Sequence, residues 1–196
     1  MRELILTMTM SLDGFVCGPN GEADWIRDGD QEAMAWKLEN LSNAGLHIMG
    51  SRTFRSMAAY WPTATGVFAP LMNQIPKAVF SRQGPAVLKA IGTPSGQPQP
   101  RAESWSEAYV ASGSLADEIA RLKSQDGKPI VAHGGAAFAR SLIAEALVDQ
   151  YRLVVHPLAL GKGLPIFADL VSPARLKRID SKTFPLGSEA QIYRPA

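Results

Sequence analysis

Cysteine is almost missing from this chain: Cys17 is the single one in 196 residues. No disulfide can close within it, which fits a reducing compartment. Histidine is scarce too, and His47, His133 and His156 stand too far apart to match a metal-ligand spacing, so no metal is expected. No apolar run approaches the roughly 20 residues that span a bilayer. The opening Met1-Arg2-Glu3 turns polar too soon for a signal peptide. The expectation is a cytoplasmic protein with no membrane contact. An excess of one charge is also lacking: 20 basic residues meet 18 acidic ones, a net charge of +2. That balance argues against a nucleic-acid partner, which calls for a concentrated basic face.

What is present describes a globular α/β protein. Hydrophobic residues make up 46% and charged ones 19% of the chain, and no linker splits it, so residues 1–196 read as one domain. Strand-like runs at Leu4 to Met10, Leu46 to Met49, Lys77 to Phe80, Ala108 to Ala111, Pro129 to His133 and Gln150 to His156 alternate with helical stretches. One helix opens at Asp30, with Met34, Leu38 and Leu41 on its apolar face and Gly45 placed to stop it. Others are expected over Thr53 to Ala59, from Ser114 to about Ser124 behind a capping box, and over Ala136 to Leu147. Residues 17–29 and 84–101 are loops by composition, the second a long surface excursion. Pro185-Leu186-Gly187 joins Arg175 to Asp180 and Ala190 to Tyr193 as an antiparallel hairpin. The pattern predicts a mostly parallel sheet covered by helices on both faces, with this hairpin at one side.

Three predicted strand ends carry one kind of chemistry, and ligands in such sheets bind beyond the carboxyl ends of strands. Gly50-Ser51-Arg52-Thr53 offers close approach, hydroxyls and a guanidinium at the start of a helix, where an anion is favoured. Ser81-Arg82 repeats the hydroxyl and guanidinium. Gly134-Gly135-Ala136 lets backbone amides reach a pyrophosphate. Singly, a Gly-Gly turn is most often only a turn, and a Ser-Arg pair only solvated surface. Together they suit a ligand with an isolated phosphate and a pyrophosphate, and NADPH is such a ligand.

The order of these pieces resembles the dihydrofolate reductase superfamily, most closely its branch with the reductase domain of riboflavin biosynthesis. The matching segments are Met10-Ser11-Leu12-Asp13-Gly14, Ile48 to Thr53, Val79-Phe80-Ser81-Arg82, Gly134-Gly135, Leu147-Val148-Asp149 and Leu160-Gly161-Lys162-Gly163-Leu164-Pro165-Ile166-Phe167. The resemblance implies that Ser51, Arg52, Thr53, Ser81 and Arg82 hold the adenosine 2′-phosphate and its surroundings. It also implies that Gly134, Gly135 and Ala136 contact the pyrophosphate and the nicotinamide side. Asp13 would lie beside the substrate, and Trp25 resembles the tryptophan of the reductase's active-site loop. In two places the chain departs from the family. The acid on the first helix of dihydrofolate reductase aligns with Ala33 or Met34, with Asp30 and Glu32 nearby, and the glutamate before the glycine turn of the riboflavin branch is His133.

Bland readings stand beside these. Asp13 could simply close an Asp-Gly turn, His133 could be a structural histidine, Trp25 and Trp61 ordinary rim aromatics, and Cys17 a small buried hydrophobe. The resulting expectation is an NADPH-dependent oxidoreductase delivering hydride to a C=N or C=O bond of a small polar heterocycle, pterin- or pyrimidine-like. Asp13 would be its catalytic acid and Trp25 and His133 substrate contacts. The alternative is a catalytically silent nucleotide binder of the same fold. The resemblance to the riboflavin branch, whose members commonly pair, implies a homodimer, and the apolar stretch Leu153-Val154-Val155 and Pro157 to Leu160, long for a protected edge, points the same way.

Overall fold

The computed structural model describes residues 1–26, 29–89, 96–168 and 170–196. Among them eight strands form one sheet: β1 (Leu4–Ser11), β2 (Leu46–Gly50), β3 (Lys77–Phe80), β4 (Tyr109–Ala111), β5 (Ile130–Ala132), β6 (Gln150–His156), β7 (Leu176–Thr183) and β8 (Glu189–Pro195). Their order is β4-β3-β2-β5-β1-β6-β8-β7. The strands from β4 to β6 are parallel, and β8 then runs antiparallel to both β6 and β7. The mostly parallel sheet and its antiparallel C-terminal hairpin are as the sequence predicts.

Helices α1 (Gln31–Ser42), α2 (Ser51–Tyr60), α3 (Ala69–Gln74), α4 (Ala86–Lys89), α5 (Leu115–Ser124) and α6 (Ala136–Ala144) cover both faces. A strand buried on both faces needs apolar residues on both, which is why β2 and β5 read as short apolar runs. Leu4, Leu6, Ile48, Ile130 and Ala132 point to one face and pack on Ile119 and Leu122 of α5 and Ala139 and Leu142 of α6. On the other face Met49 and Val79 meet Leu41, Phe54, Ala58, Met72 and Trp105. No described helix is long and apolar enough to cross a membrane.

Several local expectations shift. The buried residues of α1 are Ala33 and Leu41, while Met34 and Leu38 stay half-exposed, and the helix ends at an ordinary right-handed Asn43 instead of at Gly45. Asp30 is its N-cap: Oδ1 accepts from the amides of Glu32 and Ala33, both at 3.0 Å, and Oδ2 accepts from Leu186 N at 2.9 Å. Helix α2 starts two residues early, so Ser51, Arg52 and Thr53 form its first turn. Helix α6 stops at Ala144, because Ala146 adopts a left-handed φ of 51°. Part of the 84–101 excursion folds as α4 with Val87 buried, and Gln99 N donates to Pro62 O at 2.6 Å; residues 90–95 lie outside the described part.

One expectation is overturned. The apolar stretch of β6 is not an edge, since β1 and β8 pair with its two sides. Its apolarity reflects burial within the sheet, and the argument for a homodimer from an open edge falls with it. The real edge on that side is β7, which is exposed along most of its length and carries Lys177, Arg178, Asp180 and Lys182 with a bulge between Arg178 and Asp180. Charge and a bulge are what guard an edge against further pairing.

Candidate active site

The three strand ends singled out in the sequence belong to β3, β2 and β5, which are consecutive and parallel in the sheet, so they open on one edge. Gly50 pairs with Phe80, and His133 N donates to Ile48 O at 3.0 Å, which sets the glycine turn beside the start of α2. Gly134 and Gly135 have φ of 55° and 39°, a region that L side chains rarely adopt. A Cβ on Gly134 would stand 2.6 Å from Met8 Sδ, and one on Gly135 would stand 2.6 Å from Thr53 Oγ1. The turn therefore touches the first turn of α2.

Neither α2 nor α6 has a side-chain cap at its N-terminus, where the capping positions are Gly50 and Gly135. Two uncapped helix starts flank the glycine turn, and their first N–H groups and dipoles favour an anion. Around them Ser51 and Thr53 are half-buried, Ala136 is buried and Arg52 is exposed. Ser81 is buried, its Oγ accepting from Gln83 N at 3.2 Å, and Arg82 beside it is exposed. The residues present fit a phosphate-bearing dinucleotide: glycines where a Cβ would intrude, open amides, and guanidinium groups at the rim.

Below the glycine turn, a cavity of about 330 Å³ opens between the sheet and α1. Its floor is Ile5, Thr7 and Thr9 of β1, Val131 and His133, and Arg152 and Val154 of β6. Trp36, Lys37, Asn40 and Leu41 of α1 wall it on one side, and Met57, Trp61, Phe68 and Met72 on the other, with Ile26 also lining it. An apolar slot with few polar groups is the usual form of a small-molecule site. His133 joins the two halves, since it lines the slot and precedes the glycine turn.

His133 packs edge-on against His47, with ring centroids 4.4 Å apart. Neither ring nitrogen of His47 has a hydrogen-bond partner among the described residues, nor has Nε2 of His133. Burial, with Lys77 adding repulsion, pushes the His133 imidazole down to about 4. Burial also holds His47 well below 6.5, helped by His133 and Lys77. Both rings are neutral at physiological pH. Lys77 is itself buried next to His47 in the sheet register and is lowered to about 7 by desolvation. Its Nζ donates to Asn73 O at 3.2 Å and Ser104 Oγ at 2.6 Å.

Asp13 does not line the cavity. It is exposed, its Oδ1 accepts from Ser11 Oγ at 2.6 Å and Leu160 N at 3.1 Å, and its Oδ2 accepts from Gly161 N at 2.7 Å. The Ser11 hydroxyl, with those amides, holds its carboxyl below the usual range. These bonds tie the Ser-Leu-Asp-Gly turn to the Gly-Lys-Gly loop, where a Cβ on Gly163 would overlap the Cys17 carbonyl. Trp25 sits edge-on against His156 at 5.6 Å, and its neighbour Ile26, not Trp25, lines the slot. Ala33 and Met34 do not reach the slot either, and Asp30 is occupied as a cap. The sequence reading missed Lys37, Asn40 and Arg152. A signal existed in an arginine set inside the apolar strand Gln150–His156, and in a lysine and an asparagine on the helix face shared with Trp36 and Leu41.

Known proteins agree with this architecture. The YyaP protein of Bacillus subtilis is 29% identical over 198 residues, covering 98% of this chain and 94% of its own. A protein from Shewanella sp. PV-4 described as a putative riboflavin biosynthesis protein superposes with a TM-score of 0.71 at 19% identity, over 100% of this chain and 99% of that one. Dihydrofolate reductase from Enterococcus faecalis, solved with NADP(H), gives a TM-score of 0.60 at 12% identity over 98% and 96% of the two chains. At such identities the structures show a shared fold. The family described as RibD C-terminal domain matches residues 2–189, and this chain belongs to that family.

Proposed function

We propose that this protein is an NADPH-dependent reductase that transfers hydride to a C=N or C=O bond of a small heterocycle bound in the slot. The observation that carries the reading is one junction: the Gly134-Gly135 turn, at positive φ and flanked by two uncapped helices, continues directly from His133 in the slot wall. A dinucleotide along the strand ends and a ring in the slot would meet there. NADPH supplies the hydride, and the protein supplies orientation and local electrostatics.

Arg52 and Arg82, with Ser51, Thr53 and Ser81, would hold the 2′-phosphate end, and Gly134, Gly135 and Ala136 the pyrophosphate and nicotinamide side. Trp36, Trp61 and Phe68 would exclude water from the ring. His133, which lines the slot and precedes the glycine turn, would be a substrate contact through its neutral ring. Asp13 enters as a positioning residue, its carboxylate committed to Ser11 and the Leu160-Gly161 amides. A second reading, a silent binder of the same nucleotide, is favoured by the lack of any carboxylate among the described residues that line the slot.

Titration by nicotinamide fluorescence tests the cofactor assignment. NADPH should bind well ahead of NADH, and Arg82→Ala should weaken NADPH by about ten- to a hundredfold while leaving NADH nearly unchanged. Equal affinities for the two cofactors in the unmutated protein would sink it. An NADPH-oxidation screen against pterins, pyrimidines and quinones then separates reductase from silent binder.

A further inference from the structure

The charge of the slot departs from what an amino-substituted pyrimidine or pterin needs. Its charged lining groups are Lys37 and Arg152, and no Asp or Glu lines it among the described residues. The acid that acts on Arg152 is engaged outside it. Glu3, which feels Arg152, is paired with Arg194 at 2.7 Å. Arg152 is half-buried and held by neutral partners: its Nε donates to Gln150 Oε1 at 2.6 Å, and a terminal nitrogen donates to Asn40 Oδ1. Burial lowers its pKa, the mark of a guanidinium held in a partly dry site.

The register says where that charge stands. Arg152 pairs with Thr7, and Thr7 follows the Leu6–Ala132 pair by one residue, so Thr7 lies level with His133. His133, Thr7 and Arg152 share one rung on one face across β5, β1 and β6. The cation therefore lies at the height of the glycine turn, where the reacting ring would sit, and not out at the slot's mouth.

We propose that the slot selects a flat aromatic or heteroaromatic anion, a ring bearing a carboxylate or an ionised oxo group, and that Arg152 reads this charge. The inference rests on the slot being the substrate site of the proposed reductase. Trp36, Trp61 and Phe68 suit the flat faces, and a guanidinium fixed by Asn40 and Gln150 offers paired donors to a carboxylate without first having to be ordered. An amidine or 2-aminopyrimidine ring, which wants an acid opposite it, finds the Arg152 guanidinium instead and is disfavoured.

Binding, not turnover, tests this. Quenching of tryptophan fluorescence would be measured for quinoline-2-carboxylate, its neutral isostere quinoline-2-carboxamide, and 2-aminoquinoline, each with and without NADPH. The carboxylate should bind at least about tenfold more tightly than the carboxamide and the amine, and the margin should shrink with added salt. Arg152→Gln should erase the margin and Arg152→Lys should keep part of it. If Arg152→Gln does not fold, Asn40→Leu, which removes the acceptor that orients the guanidinium, should narrow the margin instead. The proposal is overturned if the amide or amine matches the carboxylate, if the carboxylate does not bind at millimolar concentration, or if the preference survives Arg152→Gln. Discrimination that persists while NADPH itself fails to bind would overturn the reductase reading and leave this one standing.

Discussion

Gly135 shows how much a single position can decide. Its φ of 39° and the 2.6 Å gap that a Cβ would leave to Thr53 Oγ1 make any side chain doubly unwelcome. A Gly135→Val change adds bulk on the very surface where a pyrophosphate would lie, and strains the backbone by about 1–3 kcal/mol. Such a variant should fold, melt at a lower temperature, and gain no thermal stability from NADPH. A full NADPH-induced shift in differential scanning fluorimetry would instead mean that the turn is only structural. Asp13 teaches the converse lesson. An acid that chain order places near a cleft can have its oxygens taken by a hydroxyl and two amides, and its neighbours in sequence do not reveal that.

Between elements, Asn73 is the hub that shapes one wall of the slot. From the end of α3 its Nδ2 donates to Trp61 O at 3.0 Å, and its Oδ1 accepts from Trp105 Nε1 at 2.8 Å. Its backbone oxygen accepts from Lys77 Nζ and Ser104 Oγ. The side chain is fully buried, so Asn73→Ala would strand the Trp105 indole N–H and leave the Trp61 carbonyl with only the Ala64 amide, at 3.2 Å. The expected cost is about 2–4 kcal/mol, as for lost buried hydrogen bonds with orphaned partners, read as a drop in the urea midpoint. Because Trp61 lines the slot, ring binding should weaken as well. Asp30 plays a comparable part at the other wall, joining the start of α1 to the turn before β8.

Across the whole molecule, the buried bases set a pH dependence. His133 falls to about 4 from 6.5, and His47 moves the same way. The unfolded chain therefore binds more protons than the folded one between these values. The stabilising effect of His133 is complete above pH 6.5 and is lost as pH falls toward about 4, and that of His47 is lost in the same direction. For Lys77, lowered from 10.5 to about 7, stability rises as pH climbs through that interval. Urea midpoints should thus decline from pH 7 to pH 5, and His47→Leu should flatten the decline while leaving neutral-pH stability equal or higher, because two unpartnered buried nitrogens leave the core. An unchanged slope in that variant would show that His47 does not contribute to it.

Much of this protein was legible in its residues. Apolar runs bounded by Gly, Ser and Asp place the strands, because a strand buried on both faces has no other way to read. The phosphate-type dipeptides and the glycine turn mark the cofactor side, because close backbone approach and anion binding require particular residue types at adjacent positions. Only the tertiary structure decided the rest. Sheet order put β6 between β1 and β8, turning an apparent open edge into core. Register set His133, Thr7 and Arg152 on one rung although they stand far apart in the chain. Packing enclosed His47 against His133 and drove both toward neutrality. A residue's local neighbours fix its backbone preference, but its charge state and what it faces depend on groups distant in sequence, which meet only when the sheet closes.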